Sequence, residues 1–277
     1  MIETRSIPLG DLTFTVDVAG PQTGAPALLL HGFPESRHMW RTQLEALAGA
    51  GFLAIAPDQR GYSRGARPKE EAAYRSDLLV ADALQLMAVL GHERFHLVGH
   101  DWGGQIAWLI AASKPERIIT LTALSRPHPA AFTKAMAEDP DQPKRSQHHR
   151  SFRDDGIFKQ LREANLKPLR DALTRQGVME ADAERHIAIL SEEGAIEAAI
   201  NWYRASTIAT PVPAVTVPTL YIWGKNDATV GRLAAERTAD YVSGPYRFIE
   251  IDAGHFLVEE RPAEIAKALI AHLHSRS

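Results

Sequence analysis

"LVGHDWGGQIAW", residues 97–108, puts a carboxylate on a tight turn. Apolar Leu97 and Val98 lead into Gly99; His100, Asp101, Trp102, Gly103 and Gly104 follow, and a helix-like run extends from Gln105 to Ala112. A short apolar run that meets glycines and passes at once into helical sequence reads as a buried strand turning sharply. Small neighbours let such a turn close, and it lifts the central side chain above the strand's end. The helix that follows aims its free N–H groups and the positive end of its dipole at Asp101, which favours an ionised carboxylate. An isolated Asp-x-Gly would more simply be a helix cap. The strand, the paired glycines and the helix together favour a working carboxylate.

The rest of the chain repeats this strand-then-helix pattern. "LTFTVDVA" (12–19) alternates apolar and polar residues, as a half-solvated strand does. "ALLL" (27–30), "FLAIAP" (52–57), "FHLVG" (95–99), "IITLTAL" (118–124), "TLYIWG" (219–224) and "YRFIEI" (246–251) read as further strands. Trp40, Leu44 and Leu47 recur at helical spacing, "SDLLVADALQLMAVLG" (76–91) reads as a helix capped by Ser76 and stopped by Gly91, and a last helix spans Pro262 to His272. Alternating strands and helices imply an α/β fold with a mainly parallel sheet covered on both faces. The alternation breaks once, from Arg126 to about Pro213, where the sequence is polar, helix-like and strand-free between two proline-rich boundaries. This predicts a core of residues 1–125 and 214–277 and an inserted helical cap of residues 126–213.

Composition narrows the function. At 277 residues the chain can bury one large domain with an insertion. With 31 Lys+Arg against 34 Asp+Glu, the charge of −3 argues against nucleic acid as a partner. The absence of cysteine excludes disulfides, thiolate metal sites and a cysteine nucleophile. No apolar leader opens the sequence and no apolar run approaches a membrane span, so a cytoplasmic protein acting on a small molecule and water is expected. A homodimer is compatible with the sequence.

Gly99-x-Asp101-x-Gly103 has the form of a nucleophile elbow with aspartate where serine usually stands. A carboxylate attacking carbon leaves an ester that must then be hydrolysed, which calls for a general base. "IDAGHFLVEERP" sets His255 in a loop after a strand, and "KNDATV" puts Asp227 at the end of another. The chain order nucleophile, acid, histidine is that of the elbow motif. His255 would activate water, and Asp227 would orient its ring. After Leu124 the sequence offers only Ser125 and Arg126, so Asp227 has no rival acid there. "HGFP" (31–34) follows a buried strand, and the backbone N–H groups of Phe33 and Trp102 would form an oxyanion hole.

With "HGFPESRHMWR" (31–41), "PDQRGYS" (57–63), "GHDWGG" (99–104), "NWYRA" (201–205), "IWGKND" (222–227) and "DAGHF" (252–256), the chain resembles the α/β-hydrolase fold along nearly its whole length. The closest likeness is to the branch of epoxide hydrolases and haloalkane dehalogenases. The resemblance implies no cofactor and no metal, and a substrate resting against Phe33, Trp102 and Trp202. It also implies lid groups that hydrogen-bond an epoxide oxygen. Tyr203 matches one such tyrosine; the second is missing from "KRSQHHRSF", where His148 takes its place. Haloalkane dehalogenation remains open, because Trp102 matches a halide-binding tryptophan, although Phe33 cannot supply the second donor. Dehalogenases of haloacids typically carry arginines where this chain has Trp102 and Gln105. A serine-type esterase fits poorly, and a non-catalytic binding protein of this fold is a further alternative. Arg126 and His128 at the start of the cap could line the cavity but are read as cap-boundary residues, "EDPDQPKR" (138–145) as a surface loop, and "GYSRGARP" (61–68) as cavity floor. His92, His96, His186, His272 and His274 show no metal-ligand spacing.

Overall fold

The computed structural model describes residues 1–206 and 211–275. Its described strands are β1 (Ile2–Leu9), β2 (Leu12–Ala19), β3 (Pro26–Leu30), β4 (Leu53–Pro57), β5 (Phe95–His100), β6 (Ile118–Leu124), β7 (Thr219–Gly224) and β8 (Tyr246–Ile251). They form one sheet in the order β1-β2-β4-β3-β5-β6-β7-β8. From β4 to β8 all neighbours pair in parallel, while β1–β2 and β2–β4 are antiparallel. Six parallel strands need both faces covered, and the continuous burial of β3, β4, β5 and β7 follows from that. The helices that cover the sheet include α1 (Arg41–Gly49), α2 (Ser76–Val89) and α3 (Trp102–Ser113).

Among the described residues, seven helices then separate β6 from β7: α4 (Pro129–Glu138), α5 (Gln142–Arg145), α6 (His148–Ser151), α7 (Asp155–Glu163), α8 (Lys167–Arg175), α9 (Glu180–Leu190) and α10 (Ala195–Ala205). Residues 207–210, inside the expected cap span, lie outside the described residues. After β7 come α11 (Arg232–Arg237), α12 (Leu257–Glu260) and α13 (Pro262–His274). No helix among the described residues is long and apolar enough to cross a membrane.

The helical segment is pinned to the sheet layer by buried polar contacts. The Trp202 indole N–H of α10 donates to the Arg60 carbonyl at 2.9 Å. His186 of α9 accepts from the Ser36 N–H at 3.1 Å and lies 3.1 Å from the Glu259 carboxylate. Gln142 of α5 is buried, donates to the Thr229 carbonyl at 2.8 Å and accepts from the Gly231 N–H at 2.8 Å. Residues 138–145 are therefore more than surface loop: they clamp the turn after β7.

One strand was not read from the sequence, and one helix start differs from the expectation. Residues 2–9 form an edge strand, β1, although "IETRSIPL" carries charges and a proline. Its pairing with β2, from Ile2↔Ala19 to Leu9↔Leu12, supplies what its own side chains do not, and Pro8 is tolerated because the strand is at the sheet edge. Ser76 is the first helical residue of α2 rather than its cap, and its hydroxyl lies 3.2 Å from that of Ser206.

Candidate active site

Asp101 sits between β5 and α3 with φ 49° and ψ −117°, a conformation rarely adopted by a residue with a side chain. The neighbours make it possible. A Cβ on Gly99 would overlap the Gly103 backbone, and one on Gly103 would overlap the Leu30 carbonyl. A Cβ on Gly32 would stand 2.5 Å from Asp101 Oδ1, so glycine is what lets the β3 loop reach the carboxylate. There the Phe33 N–H donates to Asp101 Oδ1 at 3.0 Å. Trp102 is the first residue of α3, so its backbone N–H has no acceptor within the helix.

His255 lies in the loop between β8 and α12. Its Nδ1 is 2.9 Å from Asp227 Oδ2 and its Nε2 is 3.6 Å from Asp101 Oδ2. The second Asp227 oxygen accepts from the Thr229 N–H at 2.7 Å, the Thr229 hydroxyl at 2.8 Å and the Val230 N–H at 3.0 Å. Thr229 Oγ1 is also 2.7 Å from His255 Nδ1. Sequence reading missed Thr229, for which only the short turn after Asp227 gives a signal.

The electrostatics follow from this geometry. Burial alone would raise the Asp101 carboxyl, but the His255 side chain, His100 and the Phe33 N–H hold it well below the ordinary carboxylate range. Burial opposes the charged His255 ring, yet Asp227 and Asp101 together raise it well above its ordinary value. The resting site is thus an imidazolium between two carboxylates. Beneath it, His100 Nδ1 lies 2.7 Å from Glu35 Oε2, while His100 Nε2 donates to the His255 carbonyl at 2.8 Å. The turn that carries Asp101 thereby fixes the loop that carries His255.

The wall facing Asp101 comes from α6 and α10. The Tyr203 ring is edge-on to Trp102 and Phe33, with centroids 5.0 and 5.5 Å apart, and 4.9 Å from Phe152. The Trp102 indole, a donor only, acts against burial by favouring the ionised form of the Tyr203 hydroxyl. Burial and the Asp101 charge push the Tyr203 hydroxyl well above its ordinary value, so it keeps its proton. His148 and His149 flank Tyr203 at 6.3 and 5.3 Å. Burial lowers both rings, His149 to about 2, and the Asp101 charge resists the fall at His148. Trp202 stands behind Trp102, 5.9 Å away, with its N–H committed to Arg60.

Arg126 comes closer to this site than its boundary position suggests. It is only 7% exposed, and its Nε and Nη2 both donate to Gln105 Oε1, at 3.0 and 2.8 Å. Its guanidinium lies over the Phe132 ring at 4.6 Å. The position after β6 was the available signal, since ligands of parallel sheets collect at strand C-terminal ends. His128 does act at the boundary, its ring accepting from the Ala130 N–H at 3.2 Å.

A family model described as the alpha/beta hydrolase fold matches residues 26–147. Epoxide hydrolase 4 of Mus musculus is 35% identical over 91% of this chain and 74% of its own length. Epoxide hydrolase A of Mycobacterium tuberculosis is 32% identical over 92% of both. A solved structure from a study of novel epoxide hydrolases in metagenomes from hot environments superposes with a TM-score of 0.89, at 31% identity and 99% coverage of both chains. The chain belongs to the α/β-hydrolase superfamily, in its epoxide hydrolase branch.

Proposed function

We propose that this protein hydrolyses epoxides to vicinal diols, with no cofactor, through an alkyl ester on Asp101, and that α4–α10 act as a cap over the site. One arrangement carries the reading: a carboxylate held well below its ordinary range, 3.0 Å from the Phe33 N–H and 3.6 Å from His255, with the buried Tyr203 packed edge-on against Phe33 and Trp102.

Asp101 Oδ1 is occupied by Phe33, which leaves Oδ2 to attack a ring carbon. A C–O bond forms, the ring C–O bond breaks, and the alkoxide takes the Tyr203 proton, with His148 as second hydrogen-bond donor. The His255 imidazolium returns a proton to the tyrosinate, which is costly in its buried place. Esterification has meanwhile removed the Asp101 charge that helped hold the His255 proton, so His255 becomes neutral and can act as base. It takes a proton from water as the water oxygen attacks the ester carbonyl, and Phe33 and Trp102 N–H groups hold the oxyanion. Collapse expels the diol alkoxide, which takes the remaining carboxyl proton, and the site returns to carboxylate, imidazolium and tyrosine.

Haloalkane chemistry is less well supported, because Phe33 offers no second side-chain donor to hold a halide alongside Trp102. Intact-protein mass spectrometry of His255→Gln with styrene oxide tests the reading. A gain equal to the whole epoxide, abolished by Asp101→Asn, is the expected result. No adduct with epoxides, together with a gain of substrate less hydrogen halide from a bromoalkane, would sink it.

A further inference from the structure

We propose that Arg126 forms an anion-recognising subsite beside Asp101, and that the preferred epoxides carry a carboxylate on or next to the ring. The proposal rests on the epoxide reading above and narrows its substrate class. Arg126 is 93% buried by its 7% exposure, and among the described residues its guanidinium has no carboxylate within ion-pair distance. Two of its nitrogens share one neutral amide oxygen, and Nη1 has no hydrogen bond. A guanidinium has five donors in a planar fork suited to a carboxylate, and burying it without an anion is costly.

Its place is set by the elbow. Gly104 lacks the Cβ that would stand 2.7 Å from the Arg126 Cβ, so the stem lies flat on the start of α3. Gln105, which holds the guanidinium, is four residues past Asp101, about 6 Å along the helix axis. Phe132, beneath the guanidinium, leads to His149 at 6.2 Å and so to Tyr203. An anionic substrate nearing ionised Asp101 meets like-charge repulsion, which Arg126 offsets while fixing the orientation of the ring. This also returns a cation to the region where Trp102 and Gln105 had argued against any carboxylate-binding group.

The test compares glycidate (oxirane-2-carboxylate) with glycidamide, its neutral near-isostere. The wild type should favour glycidate in kcat/KM. In Arg126→Gln the glycidate-to-glycidamide ratio should fall by on the order of 10-fold or more, chiefly through KM, and Arg126→Lys should restore part of it. Equal kcat/KM for the two epoxides in the wild type, or an unchanged ratio in the glutamine variant, would overturn the subsite and leave Arg126 a tether for Gln105. The wild-type comparison stands even if a variant fails to fold. If neither epoxide is opened, calorimetry with glycerate, the corresponding diol, separates the two readings. Binding lost in Arg126→Gln keeps the anion site and removes the epoxide reaction; no binding removes both.

Discussion

His255 is the residue whose charge state changes most through the proposed cycle, because it is held between Asp101 and Asp227. Neutralising Asp101 should release it. In Asp101→Asn the His255 ring should titrate lower than in the wild type by about one pH unit or more, read by NMR of the labelled imidazole. An unchanged titration would mean that Asp227 alone holds the proton. In the proposed cycle, Tyr203 and His148 act in the first step only. Tyr203→Phe should slow ester formation by roughly 100-fold in a single-turnover experiment, while His148→Phe should slow it less. Unchanged ring opening in His148→Phe would remove that residue from the mechanism.

The strand–turn–helix element holds Asp101 in a backbone conformation that its glycines make possible. Gly103→Ala should cost about 1–3 kcal/mol by forcing α3 away from β3, lowering both the melting temperature and ester formation. A stable variant with full activity would show that the close approach at Leu30 is dispensable. This element was legible from its sequence because every requirement is local: an apolar strand, glycines at fixed offsets and a helix behind. β3 to β8 were legible for the same reason. β1 was not, since a charged edge strand takes its order from its partner. Thr229 and Arg126 left only their places after Asp227 and β6 as a signal, and Gln142 left none. Each matters through a side chain that meets a group from elsewhere in the fold, and a hydrogen bond of that kind has no period in the sequence.

At the scale of the molecule, Glu35, His100, His186 and Glu259 link the β3 loop, the elbow, α9 and α12 through one buried polar cluster. Burial disfavours the charged form of both histidines, but Glu35 raises His100, and Glu259 with Glu35 raises His186, above the ordinary 6.5. A raised histidine contributes stability that is complete below pH 6.5 and is lost as pH rises through the folded value. Burial raises Glu259 as well, which acts in the same direction. The melting temperature should therefore fall on the alkaline side, by about 2–4 °C for each ~1 kcal/mol lost, and less steeply in His186→Asn. Identical slopes in the two proteins would locate the pH sensitivity elsewhere. The helical segment also leaves the sheet after β6 and returns to β7, and these strands are direct neighbours paired from Leu121↔Thr219 to Leu124↔Ile222. Its chain therefore enters and leaves the sheet at two adjacent points. Tyr203 and His148 travel with it, whereas Asp101, Asp227 and His255 stay behind. On the proposed mechanism, a chimera carrying a foreign module would keep its way of making and breaking the ester and inherit from the donor the choice of which leaving oxygen it can protonate.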